Sequence, residues 1–200
     1  MKTTKKALLA LVCAAALVFG SVFATYAYLT DETEVVTNTF TVGKVEIELK
    51  ETPVDEDGKA PVEPVAWEKR VTANTYKLVP GKSYDKDPTV RVAEDSEDAW
   101  LFVKVENGLA AYESNDNTIA HQMDENGWTV IDAENHIYAY ESKVTAEDEI
   151  VVFEEFIVAG DADVEAAATH TITVTAYAVQ GGFESAEEAW TTTFGKPAAE

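Results

Sequence analysis

The chain has 200 residues, of which 46% are hydrophobic and 26% charged, a length and composition typical of one globular domain. It carries 15 Lys and Arg residues against 37 Asp and Glu residues, for a formal net charge of −22. Such an acidic surface repels phosphate backbones and anionic lipid headgroups, so we expect no nucleic-acid partner and no binding to a membrane surface.

The first 27 residues have the three parts of a secretory signal peptide. Three lysines lie within the first six residues, an apolar run covers residues 7–22, and the stretch 24–27 supplies small residues for a signal peptidase at Ala24, Thr25 and Ala27. The run is shorter than the roughly 20 apolar residues of a transmembrane helix. We therefore predict cleavage between Ala27 and Tyr28, with the membrane as a partner only during export.

The only cysteine, Cys13, lies inside this apolar run and would leave with it. Lipid attachment is not expected there, because Val12 precedes Cys13 in mid-run where a small residue is needed. Residues 195–200 have no apolar tail, so we also expect no sortase-type anchor. The processed chain keeps 12 basic and 37 acidic residues, a net charge of −25, and has no cysteine for a disulfide.

The processed chain would begin with a segment of high strand propensity, residues 28–43. Its part 35–42 is free of charge, proline and glycine and is rich in β-branched residues, which makes it prone to pair with another strand. Two alternatives remain open for it. It is the first strand of its own sheet, or it adds to a neighbouring subunit as a donor strand with Val36, Phe40 and Val42 in grooves of that neighbour.

The letters TYAYLTD at residues 25–31 and NTFTVG at residues 38–43 resemble the leader and first strand of a known family. This is the family of SipW-dependent secreted proteins of Gram-positive bacteria, the TasA and camelysin family. Weaker similarity follows at residues 79–82, 176–180 and 188–190. The resemblance implies a dedicated signal peptidase as a partner, a β-sandwich fold, and an extracellular role in biofilm matrix fibres or at the cell surface.

Residues 44–49 alternate charged and apolar side chains, the period of a strand with one buried face. Residues 52–66 then contain three prolines and predict a long loop. Within it Asp55 and Asp57 precede Gly58, but the further oxygen ligands of an EF-hand are missing, so no calcium site is predicted.

The central part of the chain predicts strands separated by turn signals. Strands are expected at residues 71–79 and 89–93, with a type II turn at Pro80 and Gly81 between them. Residues 99–106 are apolar on both faces, which indicates a central or covered strand, and the acidic residues 94–98 form the turn before it.

The last third predicts a connection, further strands and a helix. The expected elements are a connection with one helical turn at residues 107–125, a hairpin of strands 128–131 and 137–141, and strands at 150–158 and 169–180. Ser185 and Glu188 form a capping-box pattern, which predicts a short helix through Trp190.

About eight short strands at this spacing predict an all-β fold, a single antiparallel β-sandwich of jelly-roll or Ig-like type with a short C-terminal helix. The expected divisions of the chain are a signal peptide at 1–27, a mature N-terminal segment at 28–43, a β-sandwich domain at 44–194 and a tail at 195–200.

No motif in the chain predicts catalysis. His121, His136 and His170 do not form the His-Glu-x-x-His pattern of zinc peptidases, and the processed chain has no cysteine nucleophile, no Gly-x-Ser-x-Gly elbow and no glycine-rich phosphate loop. We therefore predict no catalytic residue, no metal site and no cofactor. A camelysin-like surface metallopeptidase stays as an alternative, because members of the resembled family have been described as such.

The four tryptophans allow a further alternative, a carbohydrate-binding surface module. Trp100, Trp128 and Trp190 lie in apolar patterns that indicate core packing, whereas Trp67 ends the proline-containing loop and is predicted to face a ligand. The leading prediction remains a secreted structural subunit that associates with itself or with other matrix proteins.

Overall fold

A computed structural model describes residues 44–195 of the chain. Within them it forms nine β-strands: β1 Ile47–Lys50, β2 Ser83–Asp85, β3 Thr89–Val92, β4 Ala99–Asn107, β5 Trp128–Asp132, β6 Ile137–Tyr140, β7 Glu149–Val151, β8 Glu155–Ile157 and β9 Ile172–Gln180. The α-helices of the same residues are α1 Ile119–Glu125, α2 Val164–Ala167 and α3 Ala186–Phe194, with single 3₁₀ turns at Trp67–Lys69 and Ala110–Tyr112.

All strand pairs in this part of the chain are antiparallel, and they form three sheets. Their strand orders are β1-β3-β7, β2-β8 and β5-β6-β4-β9. The predicted all-β class with few helices is confirmed.

Strand β4 lies between β6 and β9 and is apolar on both faces, as its sequence predicts. Leu101 and Val103, both fully buried, face the larger apolar cluster. Strand β3 contributes Val90 and Val92 to this cluster, and Val45, Ile47 and Leu49 pack against it at alternate positions. The alternation predicted for residues 44–49 therefore places one side of that segment on the core.

The opposite face of β4 contributes Phe102 to a second, smaller cluster under helix α3. The Phe102 ring lies 5.1 Å from that of Trp190, and Tyr177 of β9 packs edge-on against Trp190 at 5.7 Å. Trp128 and Trp190 are buried, so the core role predicted for them is confirmed, while Trp100 is half-buried beside the second cluster.

Three local predictions are confirmed by turn and cap geometry. Gly81 has φ +73°, and the Lys82 N–H donates to the Val79 carbonyl, which is the hydrogen bond of the predicted turn. The hairpin β5–β6 forms as expected. Helix α3 begins after Ser185, whose hydroxyl accepts from the Glu188 N–H, although the Glu188 carboxylate accepts from the N–H of Glu184, one residue before the cap.

Two predicted strands are wrong in part. Residues 71–79 pair as a strand only at Val71, through an isolated bridge to Glu51, and otherwise contact the core through side chains and through the hydrogen bonds of Lys77 and Val79 with the Tyr84 hydroxyl. The strand predicted at 150–158 is interrupted at residues 152–154, where Val152 and Phe153 are both fully buried. The chain passes there from β7 in one sheet to β8 in another.

The connection at residues 107–125 contains more helix than its sequence predicts. Thr118 caps α1 by accepting from the His121 N–H. From this helix the buried Gln122 accepts through its side-chain oxygen from the N–H groups of Glu154 and Glu155, and so satisfies the backbone where β7 gives way to β8.

Candidate functional site

Strand β9 forms one edge of the four-stranded sheet. Among the described residues it pairs only with β4, over all nine of its positions from Ile172 to Gln180. It contains no charge, proline or glycine. A long, regular and uncharged edge strand is an open template for another strand.

The register shows which backbone groups of β9 point outward. Gly108 N–H donates to the Thr171 carbonyl and Gly181 N–H donates to the Asp98 carbonyl, which fixes the hydrogen-bonded pairs at alternate positions. The N–H and C=O groups that point away from β4 therefore belong to every second residue: Ile172, Val174, Ala176 and Ala178. The side chains of these four residues pack against the larger cluster.

The other edge of this sheet, β5, has a different character. It has five residues, carries Asp132, and shifts register between Val130 and Asp132 at an irregularity. Short length, a bulge and a charge are features that protect edges from further pairing. Of the two edges, β9 is the one suited to accept a strand.

The described chain starts next to the C-terminal end of β9. The Glu97 N–H donates to the carbonyl of Lys44, and the Gln180 side-chain amide donates to the Glu97 carboxylate.

The assembly residues Val36, Phe40 and Val42 and the cleavage pair Ala27 and Tyr28 lie outside the described residues. The edge position of β9 was not predicted from the sequence. Its sequence signal was an uncharged nine-residue run within the predicted strand 169–180, but no local pattern told that this strand lies at an edge.

Trp67 does not face solvent, so the expectation of a free face is wrong. Only 8% of the residue is exposed, and its indole N–H donates to the Glu48 carboxylate. Cationic groups surround the ring: Lys50 Nζ at 5.1 Å, Arg91 Cζ at 5.6 Å and Arg70 Cζ at 5.7 Å from its centroid. Arg70 is a neighbour in sequence, but Lys50 and Arg91 come from strands β1 and β3, so local sequence could not reveal that they cover the ring. Trp67 is therefore a structural residue, stabilised by cation–π contacts.

The three histidines lie on separate segments. His121 is on α1, His136 lies in the β5–β6 turn, and His170 precedes β9. In the described part of the chain no three His, Cys, Asp or Glu side chains are grouped to hold a metal ion. The Asp55 carboxylate accepts from the N–H groups of Asp57 and Lys59, so it closes its own loop.

Comparisons of the chain with protein-family models, with curated proteins and with solved structures each gave no match. The family resemblance of the leader thus stays a prediction. Among the helices of residues 44–195, none has the length and apolar character needed to cross a bilayer.

Proposed function

We propose that the protein is a secreted structural subunit of the biofilm matrix or cell surface, which forms fibres by strand donation. In this proposal residues 1–27 are a signal peptide, and a dedicated peptidase cuts after Ala27. The leader resemblance supports secretion. The nine-residue edge strand β9, which pairs only with β4 among the described residues, carries the proposal of assembly.

The proposed fold is a β-sandwich of jelly-roll or Ig-like type. Its support is the larger apolar cluster, to which β4 of the four-stranded sheet and β3 of the three-stranded sheet both contribute buried side chains. Two sheets that share one core through their inner faces are the basis of a sandwich.

The donor segment and the acceptor edge match in length and character. Residues 35–42 span about 26 Å when extended and β9 spans about 30 Å, at about 3.3 Å per residue. Both lack charge, proline and glycine. Main-chain hydrogen bonds to the outward groups of Val174, Ala176 and Ala178 would supply affinity. Because donation from head to tail does not close on itself, it yields filaments.

Removal of the signal peptide is the proposed trigger. A tethered precursor cannot insert its N-terminal segment into another subunit, whereas a chain that starts at Tyr28 can. The alternative is that the same segment pairs with β9 of its own chain. In support of this alternative, Lys44, the first described residue, and Gln180 at the end of β9 both hydrogen-bond to Glu97.

Two variants of the processed protein test this proposal: deletion of residues 28–40, and Phe40→Asp. We expect both to stay folded by circular dichroism and to lose fibres in electron micrographs, because the donor strand is absent or carries a charge into an apolar groove. Thr41→Asp is the matched control, since it places the same charge on the other face of the strand and should impair fibres less. Fibres like those of the wild type in both test variants would exclude strand donation, and unfolding of both would assign the segment to its own sheet.

A further inference from the structure

Charge is distributed unevenly along the chain. Residues 44–91 hold nine basic and ten acidic side chains, whereas residues 92–195 hold two basic and 23 acidic side chains. The first region is nearly neutral and the second carries a net charge of −21. Two copies brought together through their acidic regions repel each other, while contact between the first region of one copy and the second region of another does not.

Most cations of the described residues are already neutralised within the chain. Eight of them lie within 4.0 Å of a carboxylate: Lys44, Lys50, Lys59, Arg70, Lys82, Lys86, Arg91 and Lys104. Lys143 donates to the Gly181 carbonyl and lies over the Trp100 ring.

Lys69 and Lys77 differ from all of these. Both are exposed, and neither forms an ion pair with any residue in the described part of the chain, although acids there outnumber cations threefold. They belong to the stretch 62–79, which also carries two of the exposed large apolar residues, Val62 at 100% and Val79 at 44%. Exposed apolar groups and cations without an ion pair in the described part of the chain, within one stretch, are features of a contact surface for an acidic protein.

We propose that the stretch 62–79 docks onto the acidic region, residues 92–195, of a second copy of this chain. Lys69 and Lys77 form the intermolecular ion pairs, and Val62 and Val79 lose water at the contact. The proposal rests on the self-association proposed above but not on strand donation, which uses other residues.

Sedimentation velocity of the processed protein at 0.1 M and 1 M NaCl tests the contact, since the screening length falls from about 10 Å to about 3 Å between these conditions. We expect the wild type to associate about tenfold more weakly at 1 M. The variant Lys69→Glu with Lys77→Glu should associate about tenfold more weakly than the wild type at 0.1 M and lose the salt dependence, because two attractions become repulsions.

Two controls separate this contact from a general effect of charge. Lys44→Glu with Lys59→Glu changes the net charge equally but lies outside both the stretch 62–79 and the acidic region, and Lys69→Arg with Lys77→Arg keeps the cations, so both should behave like the wild type. Equal weakening by the two glutamate pairs, stronger wild-type association at 1 M, or no association at all would overturn the proposal. If only Phe40→Asp weakens association, strand donation stands and this contact is excluded. If only Lys69→Glu with Lys77→Glu weakens association, this contact stands and strand donation is excluded.

Discussion

Gly58 allows Tyr84 to fill the core beneath the long loop. Its φ is +70°, and a Cβ at this position would lie 2.3 Å from Tyr84 Cδ1. Tyr84 is 1% exposed and cannot move aside, because its hydroxyl donates to the Lys77 carbonyl and accepts from the Val79 N–H. Gly58 is therefore the point at which the loop at residues 52–66 packs directly against the buried Tyr84 ring.

The variant Gly58→Ala should lose about 2–5 kcal/mol of unfolding free energy, from overpacking plus the cost of a positive φ. Urea unfolding measures this loss. Gly160→Ala is the matched control, because a Cβ there meets no atom within 4 Å and should change stability by no more than about 0.5 kcal/mol. Similar losses in both variants would contradict the packing described for Gly58.

Glu113 is a buried carboxylate at the junction of β4 and α1. Its oxygens accept from the Ile119 N–H at 2.7 Å and from the Asn107 side-chain amide at 3.1 Å. Burial raises the pKa of Glu113 above its ordinary value, which outweighs the lowering effect of the two hydrogen bonds.

The raised pKa of Glu113 determines whether its contribution to the unfolding free energy rises or falls with pH. The stability that Glu113 contributes is fully present below its ordinary pKa and is lost as pH rises through the raised folded-state pKa. We therefore expect the unfolding free energy of the wild type, relative to that of Glu113→Gln, to be higher at pH 4 than at pH 7. Urea unfolding of both proteins at the two pH values measures this difference in unfolding free energy. The contributions of the other carboxylates cancel because both proteins contain them. A difference that is constant or of opposite sign would show that burial does not control this group.

At the scale of elements, the sequence predicted strands with a strong local period and missed those set by distant partners. Strand β4 was predicted because both of its faces are apolar, and each face meets its own cluster. Strand β2 was missed because its three residues are ordered by pairing with β8, about 70 residues later. The break within residues 150–158 depends on Gln122, which no local pattern connects to them.

The candidate site shows the same limit of prediction from local sequence, at the two edges of the four-stranded sheet. The sequence predicted β9 and β5 as strands, but it contained no sign that both are edge strands. Only the register identifies the outward backbone groups of β9 and the irregularity that protects β5. Trp67 was misplaced for a related reason, because Lys50 and Arg91 reach it from strands that pair only in the fold.

At the scale of the whole molecule, the proposed assembly of a processed chain with a net charge of −25 is opposed by the repulsion between copies. Backbone pairing along β9 is insensitive to charge, and contact between the nearly neutral region and the acidic region avoids the strongest repulsion. The two proposals therefore serve one function through separate surfaces, and each has its own variants.

The central claim is that β9 receives a strand from another subunit, and a proline on that edge tests it. Ala176→Pro removes one outward N–H while leaving the ladder to β4 intact, since proline is tolerated where an edge N–H faces outward. Val130→Pro is the matched control: it makes the same change on the β5 edge, at a residue that is half exposed and whose N–H also points outward.

The deciding measurement is fibre formation by the processed wild type and these two variants, in electron micrographs of proteins shown to be folded by circular dichroism. We expect fibres from the wild type and from Val130→Pro, and folded monomers from Ala176→Pro. Fibres from a folded Ala176→Pro protein at wild-type levels, or their loss in both proline variants alike, would contradict strand addition at β9.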